Sequence, residues 1–116
     1  MTRESFHEDF ARLKNAVLAS PGDSTPLVRA AVAARAAELA GRPARGAAEV
    51  PATLAGYVEK GAREAYRGTD GDVASLLEAG FSEDAVFEIT LAAALGAADA
   101  RLERGLAALR GRPGGG

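Results

Sequence analysis

The residues that could carry chemistry in this sequence are few. Its 116 residues include no cysteine and a single histidine, His7. Without cysteine the chain can form no disulfide, no thiolate metal site and no thiol nucleophile, and one histidine is little material for a transition-metal site. His7 shares an amphipathic segment with Glu8 and Asp9, which is typical of a surface imidazole. We therefore predict neither a metal nor a cofactor.

Carboxylates are the remaining candidates for acid–base chemistry, and Glu88 is one of them. It lies four residues after Asp84 in a run that is mostly apolar, where a buried carboxylate needs a partner. Arg101 is the partner that we consider, and a structural ion pair is favoured over catalysis. Tyr57 and Tyr66 are expected to be core or interface residues with the hydroxyl at the edge.

Composition and charge limit the class of protein. The chain has 14 basic and 16 acidic residues spread along its length, so neither nucleic acid nor an anionic membrane is an expected partner. No run of about 18 uncharged apolar residues occurs, and we expect a cytoplasmic protein. A chain of this length suits one domain, residues 1–111, and the glycine-rich tail 112–116 should be disordered.

Helical periodicity predicts an all-α fold, a bundle of about five helices. The first helix is predicted over residues 3–19, with an apolar stripe formed by Phe6, Phe10, Leu13 and Val17. Hydrophobic residues make up 47% of the chain but aromatic residues only 5%, so the core must consist mostly of alanine, leucine and valine. Such a core favours close packing of helices.

The second helix is predicted to have Thr25 as its N-cap and Pro26 in its first turn, and to end near Gly41. The segment 41–49 is rich in glycine, proline and arginine and is interpreted as a linker. The buried side of the second helix is expected to carry Leu27, Val28, Ala31, Val32 and Leu39.

A third helix should extend over about residues 51–67, with a proline in its first turn. Thr69 and Asp72 have the spacing of a capping box, which would start a short fourth helix. Gly80 is expected to end that helix.

Ser82 is the expected N-cap of the last helix, which should end near Arg110. Between Val86 and Ala100 this helix is apolar nearly all round, whereas one core covers only one face. We predict a homo-oligomer interface on the remaining faces; the alternative is the central helix of a monomeric bundle. The small side chains that would let a second backbone come close are Ala92, Ala93, Ala94, Gly96, Ala97 and Ala98.

Residues 57–109 carry a succession of motifs: TDGDV, LLEAGFSEDAVFEIT, an alanine-rich stretch and RLERGL. This succession resembles the carboxymuconolactone decarboxylase family, which includes the alkylhydroperoxidase-D-like peroxidases. The resemblance covers somewhat under half of the chain. It implies a helical bundle of the alkylhydroperoxidase-D-like type that forms symmetric homo-oligomers.

Peroxidase members of that family are marked by a Glu-x-x-Cys-x-x-Cys-x-x-x-His motif on a helix, which supplies a low-pKa thiolate, a resolving thiol and a proton shuttle. In one placement Glu49 matches the glutamate and Glu59 replaces the histidine. Ala52 and Ala55 then stand in place of the two cysteines. In the other placement, which we prefer, the segment from Tyr57 follows the motif helix, and that helix has no counterpart here. Both placements exclude thiol peroxidase activity for the chain alone.

Glu49 and Glu59 join Glu88 as candidate catalytic residues, because a carboxylate that faces a family pocket can act as a general base. Glu59 lies beside Lys60 and ahead of Arg63, however, an arrangement typical of a solvated helix face. The favoured hypothesis is a non-peroxidatic homo-oligomer with a structural, regulatory or small-molecule-binding role. The alternative is a cysteine-independent lyase or decarboxylase that acts on a lactone or a similar small acid. A third hypothesis is that a partner chain supplies the missing helix and its cysteines.

Overall fold

Five helices make up the described part of the chain, and no strand occurs in it. The computed structural model describes residues 3–43, 49–63 and 70–111. The all-α prediction is therefore confirmed. The predicted end of the third helix near residue 67, Tyr66, the cap at Thr69 and the tail 112–116 lie outside the described residues. The helices are α1 (Arg3–Ala19), α2 (Pro26–Leu39), α3 (Ala52–Arg63), α4 (Asp70–Glu78) and α5 (Glu83–Leu109).

Short polar side chains cap the helices where the sequence predicts their first turns. The Thr25 hydroxyl accepts a hydrogen bond from the Val28 amide at the start of α2, at 3.2 Å. The Ser82 hydroxyl accepts one from the Ala85 amide at the start of α5, at 3.0 Å. Gly80 has a φ of 103°, which residues with a Cβ rarely adopt, so it can end α4 just before the next cap. These predicted helix boundaries are confirmed.

The helices α2 and α5 form the centre of the fold and run in the same direction. At one end, the Ser24 amide just before α2 donates to the carboxylate of Glu88, near the start of α5, at 2.8 Å. At the other end, Arg104 of α5 donates to the carbonyl of Ala40, which follows α2, at 2.9 Å. The chain that connects the two helices therefore has to return along the bundle, and α3 and α4 belong to this return.

Small side chains line the contact between α2 and α5. A Cβ added to Gly96 would lie 2.7 Å from the carbonyl carbon of Ala33 and closer still to its oxygen. The predicted burial of Leu27 and Leu39 is wrong, because α2 turns its alanine side to α5 and leaves these leucines 81% and 38% exposed. Val32 is buried as predicted. The buried alanines of the two helices are Ala33, Ala36 and Ala37 on α2 and Ala85, Ala92, Ala93, Ala97 and Ala100 on α5.

The small residues of α5 thus already have a neighbour within the chain. A second backbone does come close to Gly96, but it is the backbone of α2. On the face that contacts α2, α5 is therefore packed as the central helix of a bundle. The homo-oligomer interface predicted on residues 86–100 stays a prediction, and it now depends on other faces of α5, where Phe87 is exposed.

Larger side chains fill the core where α3 and α4 meet α5. They come from all three helices, and the half-buried side chains of Val50 and Phe81 pack against them. This group lies beside the alanine-lined contact and completes one core. Its buried members are Leu54, Val58, Leu76, Val86 and Ile89.

Helix α1 lies against α5 with only part of its apolar stripe turned inward. Phe10 and Val17 are half-buried, whereas Phe6 is 49% and Leu13 56% exposed. Lys14 is on the inward side, where its ammonium group binds a carboxylate of α5. The predicted stripe therefore lies at the edge of the contact, because the helix is rotated to bring Lys14 to its partner.

Candidate functional site

Asp99 of α5 is the buried carboxylate of the described chain, with its side chain 6% exposed. Lys14 of α1 binds it, and so does Arg42, which follows α2, with 3.0 Å between Arg42 Nη2 and Asp99 Oδ2. Arg42 also lies 2.8 Å from a carboxylate oxygen of Glu103. We call these four residues the Asp99 cluster. It joins three segments that are far apart in the sequence.

The electrostatics of the Asp99 cluster favour an ionised carboxylate. Burial opposes ionisation of Asp99, but the hydrogen bonds from Lys14 and Arg42 and the charges of these two residues outweigh it. The pKa of Asp99 is therefore held below its ordinary value. A carboxylate with a lowered pKa is a weak base. The cluster is thus suited to fixing α1 and the end of α2 on α5 rather than to taking a proton from a substrate.

Glu88 holds the turn of residues 20–24, which joins α1 to α2. Its carboxylate accepts hydrogen bonds from the Ser24 hydroxyl at 2.5 Å, the Ser24 amide at 2.8 Å and the Asp23 amide at 3.1 Å. These bonds, that of the Ser24 hydroxyl first, lower the pKa of Glu88. The predicted ion pair with Arg101 is wrong, since Arg101 lies 13 residues further along the same helix, about 20 Å away.

Arg29 of α2 holds the same turn through its carbonyl groups. Its buried guanidinium donates to the carbonyls of Val17 and Ser20, and to that of Ser24 at 3.3 Å. Its Nε has no acceptor within the described part of the chain. The first two carbonyls belong to the end of α1 and the residue that follows it, where a helix leaves backbone oxygens unpaired. Arg29 and Glu88 therefore bind complementary backbone groups of the 20–24 turn.

A shallow, open groove of about 330 Å³ lies between α2 and α3. Arg35 spans it, with 3.1 Å to Glu59 of α3 and 3.2 Å to Glu38 of its own helix. The hydrogen bond with Glu59, and then that with Glu38, raises the pKa of Arg35. Leu39 and Ala62 complete the lining. Of the sites described so far, this groove is the one that combines a charged pair with open space.

The structure does not bring the three candidate carboxylates together. Glu59 lines the groove, Glu88 binds the 20–24 turn, and Glu49 is exposed in the segment before α3. Glu59 binds Arg35, and Glu88 binds Ser24. These two partners are 11 residues apart in the sequence, about 16 Å along a helix, so Glu59 and Glu88 lie beside different parts of the bundle. Glu59 and Glu88 therefore cannot act as a carboxylate pair.

Two other predicted residues have defined places. The Tyr57 hydroxyl lies 2.6 Å from Thr90 Oγ1, which itself donates to the Val86 carbonyl at 2.8 Å, so Tyr57 links α3 to α5 as a core residue with its hydroxyl at the edge. His7 is half-buried in α1 rather than fully on the surface. Across the described residues, no group of three or more histidine, cysteine or acidic side chains is placed to hold a metal ion.

Sequence reasoning missed the Asp99 cluster and the role of Arg29. One signal was present for Asp99, since it is one of the few polar residues in the apolar run of α5. A charge at such a position requires partners, but Lys14 and Arg42 are 85 and 57 residues away in the chain. Arg29 had no comparable signal, because its acceptors are backbone carbonyls.

None of the helices in the described part of the chain is long and apolar enough to cross a membrane. The resemblance to the carboxymuconolactone decarboxylase family remains a prediction. Comparison of the chain with family models, curated proteins and solved structures finds no match.

Proposed function

We propose that the chain is a non-peroxidatic, homo-oligomeric helical protein of the cytoplasm, with a structural or regulatory role and a bundle of the alkylhydroperoxidase-D-like type. The motifs of residues 57–109 support the family and the fold type. The lack of cysteine removes the thiol chemistry by which peroxidases of that family work. The all-helical architecture is consistent with this proposal.

The observation that carries the proposal is the contrast between charged side chains that are bound within the chain and large apolar side chains that are exposed. Arg29, Glu88 and Asp99 are occupied with the chain's own backbone and helices. Large apolar side chains meanwhile face solvent, and on α1 they form part of a continuous stripe. Apolar surface of this kind is typical of a contact with another protein, and a second copy is the commonest such partner. The most exposed of these side chains are Phe6, Leu13, Leu27, Phe87 and Leu109.

The experiment that tests this proposal is a measurement of mass in solution by sedimentation equilibrium over a wide range of chain concentration. We expect a multimer that dissociates on dilution, because association through a limited apolar surface follows mass action. A single species of monomer mass at every concentration would refute the homo-oligomer.

The groove between α2 and α3 favours a second candidate, a cysteine-independent lyase acting on a lactone or a similar small acid. Arg35 can bind the carboxylate of such an acid, and Glu59 can act as a base toward it. The two side chains now bind each other at 3.1 Å, so a substrate would have to displace Glu59 from Arg35. The groove is open to water, which weakens each electrostatic interaction in it.

This second candidate is tested by following small lactones and their acids by NMR in the presence of the protein. A lyase at the groove predicts turnover that is lost in Glu59→Gln and kept in Glu38→Gln, a matched control because Glu38 binds the same Arg35. Absence of turnover by the unaltered chain, or equal turnover by both variants, would reject Glu59 as the catalytic base.

A further inference from the structure

We propose that α1 is a detachable helix, which leaves the bundle as a unit while α2, α3, α4 and α5 stay folded. The ion pair between Lys14 and Asp99 is the latch that holds α1, and residues 20–22 are its hinge. This inference is independent of the homo-oligomer proposed above, because it concerns a second conformation of a single chain.

Helix α1 contributes little to the buried core. Over residues 5–19, where the structure describes its side chains, none of them is buried, whereas α2, α3, α4 and α5 each supply buried members of the core. Leu18 packs against the core but is itself only half-buried. Release of α1 therefore exposes little apolar surface, and such an element can open without global unfolding. Its half-buried side chains are those of His7, Phe10, Ala11, Lys14, Val17 and Leu18.

Polar contacts hold α1 where apolar burial is small. The ammonium group of Lys14 binds Asp99 of α5. The carbonyls of Val17 and Ser20 accept hydrogen bonds from Arg29 of α2. Water replaces these partners when α1 is released, so each contact contributes only a modest net free energy.

The charged groups that α1 leaves behind keep other partners. Asp99 keeps Arg42, with 3.0 Å between Nη2 and Oδ2, and Arg42 is in turn 2.8 Å from Glu103. Arg29 keeps the carbonyl of Ser24 at 3.3 Å. Loss of a partner is strongly unfavourable when it leaves a buried charge unpaired. Neither Asp99 nor Arg29 is left in that state, so the cost of releasing α1 stays moderate.

The chain is fixed to the bundle just after α1, and this fixed point defines the hinge. The amides of Asp23 and Ser24 donate to Glu88, and the carboxylate of Asp23 accepts a hydrogen bond from the Ser82 hydroxyl at 2.7 Å. None of these three bonds involves α1. Residues 20–22 lie between α1 and the fixed point, so α1 can move about them while the start of α2 stays in place.

Release of α1 changes what the chain presents to solvent. The side of α1 that is half-buried becomes accessible, and so does the carboxylate of Asp99 beside Arg42. A molecule that binds one of these surfaces only in the open form shifts the population toward that form. The latch therefore gives the chain a means of coupling such binding to the position of α1.

Native-state hydrogen exchange of the full chain, followed residue by residue by NMR, tests the latch. Lys14→Met removes the ion pair but keeps a long unbranched side chain. Arg12→Met is the matched control, because the ion pair of Arg12 with Asp9 is exposed. Lys14→Met should speed exchange of the amides of residues 11–17 at least about tenfold, since a hydrogen bond between charged groups is lost. Arg12→Met should change it less than about threefold.

A core variant tests whether α1 opens on its own. Val58→Ala removes buried side-chain volume from α3, which lies away from α1 within the described part of the chain. It should speed exchange at the α5 amides of Ala93 and Ala97 at least about tenfold, because these open only with global unfolding. The α1 amides should stay within about twofold, because the core is intact in the open form.

Urea gives the same comparison without a variant. Exchange in α1 should depend on urea much less than exchange at Ala93 and Ala97, because opening α1 exposes less surface than global unfolding. Together with the expected effects of Lys14→Met and Val58→Ala, this result supports a detachable α1.

Two results would overturn the inference. Equal acceleration of α1 and α5 by Val58→Ala, or an equal dependence of both helices on urea, shows that α1 opens only when the whole chain unfolds. Equal exchange of α1 in Lys14→Met and Arg12→Met shows that the ion pair of Lys14 is not the latch.

Discussion

Replacing Gly96 by alanine should destabilise this protein, although alanine is the better helix former. The residue lies within α5 at the point where the helix meets α2. A Cβ at this position would lie 2.7 Å from the carbonyl carbon and 2.8 Å from the Cα of Ala33, and closer to the carbonyl oxygen. All three obstructing atoms belong to the backbone of α2, so no side-chain rotation can relieve the clash.

The size of the destabilisation by Gly96→Ala follows from these distances. Carbon atoms in contact are about 3.5 Å apart, so α2 and α5 must separate locally by roughly 1 Å. Overpacking of this kind costs about 3 kcal/mol when backbone has to move, and the higher helix propensity of alanine returns about 1 kcal/mol. The net loss of unfolding free energy is therefore about 2 kcal/mol, which lowers Tm by about 8 °C in a domain of this size.

The measurement is urea and thermal unfolding followed by circular dichroism, with Gly105→Ala as the matched control. Gly105 lies in the same helix but is exposed, and nothing lies within 4 Å of a Cβ added there. Gly105→Ala should therefore gain up to about 1 kcal/mol. If Gly96→Ala were stabilised as much as Gly105→Ala, the close approach of α2 and α5 would be refuted.

Three further predictions concern the polar contacts. The pKa of Asp99 is lower in the folded chain than in the unfolded chain, which binds the proton first as pH falls. The ionised Asp99 therefore stabilises the folded chain above about pH 4, and this contribution is lost below that pH. Urea unfolding of Asp99→Asn should show a lower unfolding free energy than that of the unaltered chain at neutral pH, and a smaller further loss in acid. Parallel curves of unfolding free energy against pH for the two proteins would contradict this. Ser82→Ala should lose about 1 kcal/mol of unfolding free energy through the missing cap, and no loss would mean that the cap contributes nothing. Glu88→Gln should speed amide hydrogen exchange at Asp23 and Ser24 while exchange in α3 stays unchanged; equal protection in the 20–24 turn would show that the charge of Glu88 is not needed there.

The helix boundaries could be predicted because their signals are local. Thr25 caps α2 and Ser82 caps α5 through an amide three residues ahead, and Gly80 satisfies a backbone requirement of its own turn. Each of these features depends on a few neighbouring residues. None requires knowledge of what the helix packs against.

The buried faces of α1 and α2 could not be predicted in the same way. Leucine carries a stronger hydrophobic signal than alanine, so the sequence predicts Leu27 and Leu39 in the core. The structure instead buries alanines, because close approach to Gly96 depends on small size more than on hydrophobicity. In α1, the position of Lys14 decided the rotation of the helix, and its partner Asp99 is 85 residues away.

Among the candidate site residues, too, local features could be predicted from the sequence and distant partners could not. The motif comparison points to Glu59, and the structure places it in a groove, but its partner Arg35 lies on another helix and no local pattern in the sequence indicates it. For Glu88 the sequence predicts a need for a partner if the carboxylate is buried, and the structure leaves it half-buried. That partner is a set of backbone amides and one hydroxyl, which leave no pattern in the residue types.

The shared direction of α2 and α5 has a consequence for how fast this chain folds. Two neighbouring helices that run in the same direction cannot be joined by a short turn, so the contact of Ala33 with Gly96 closes a loop of some sixty residues. Closing such a loop costs about 4 kcal/mol of chain entropy, most of it before the alanine surfaces meet. The protein should therefore fold more slowly than an up-and-down bundle of equal length. Lengthening the connection between Pro43 and Glu49 would slow folding further while changing stability little.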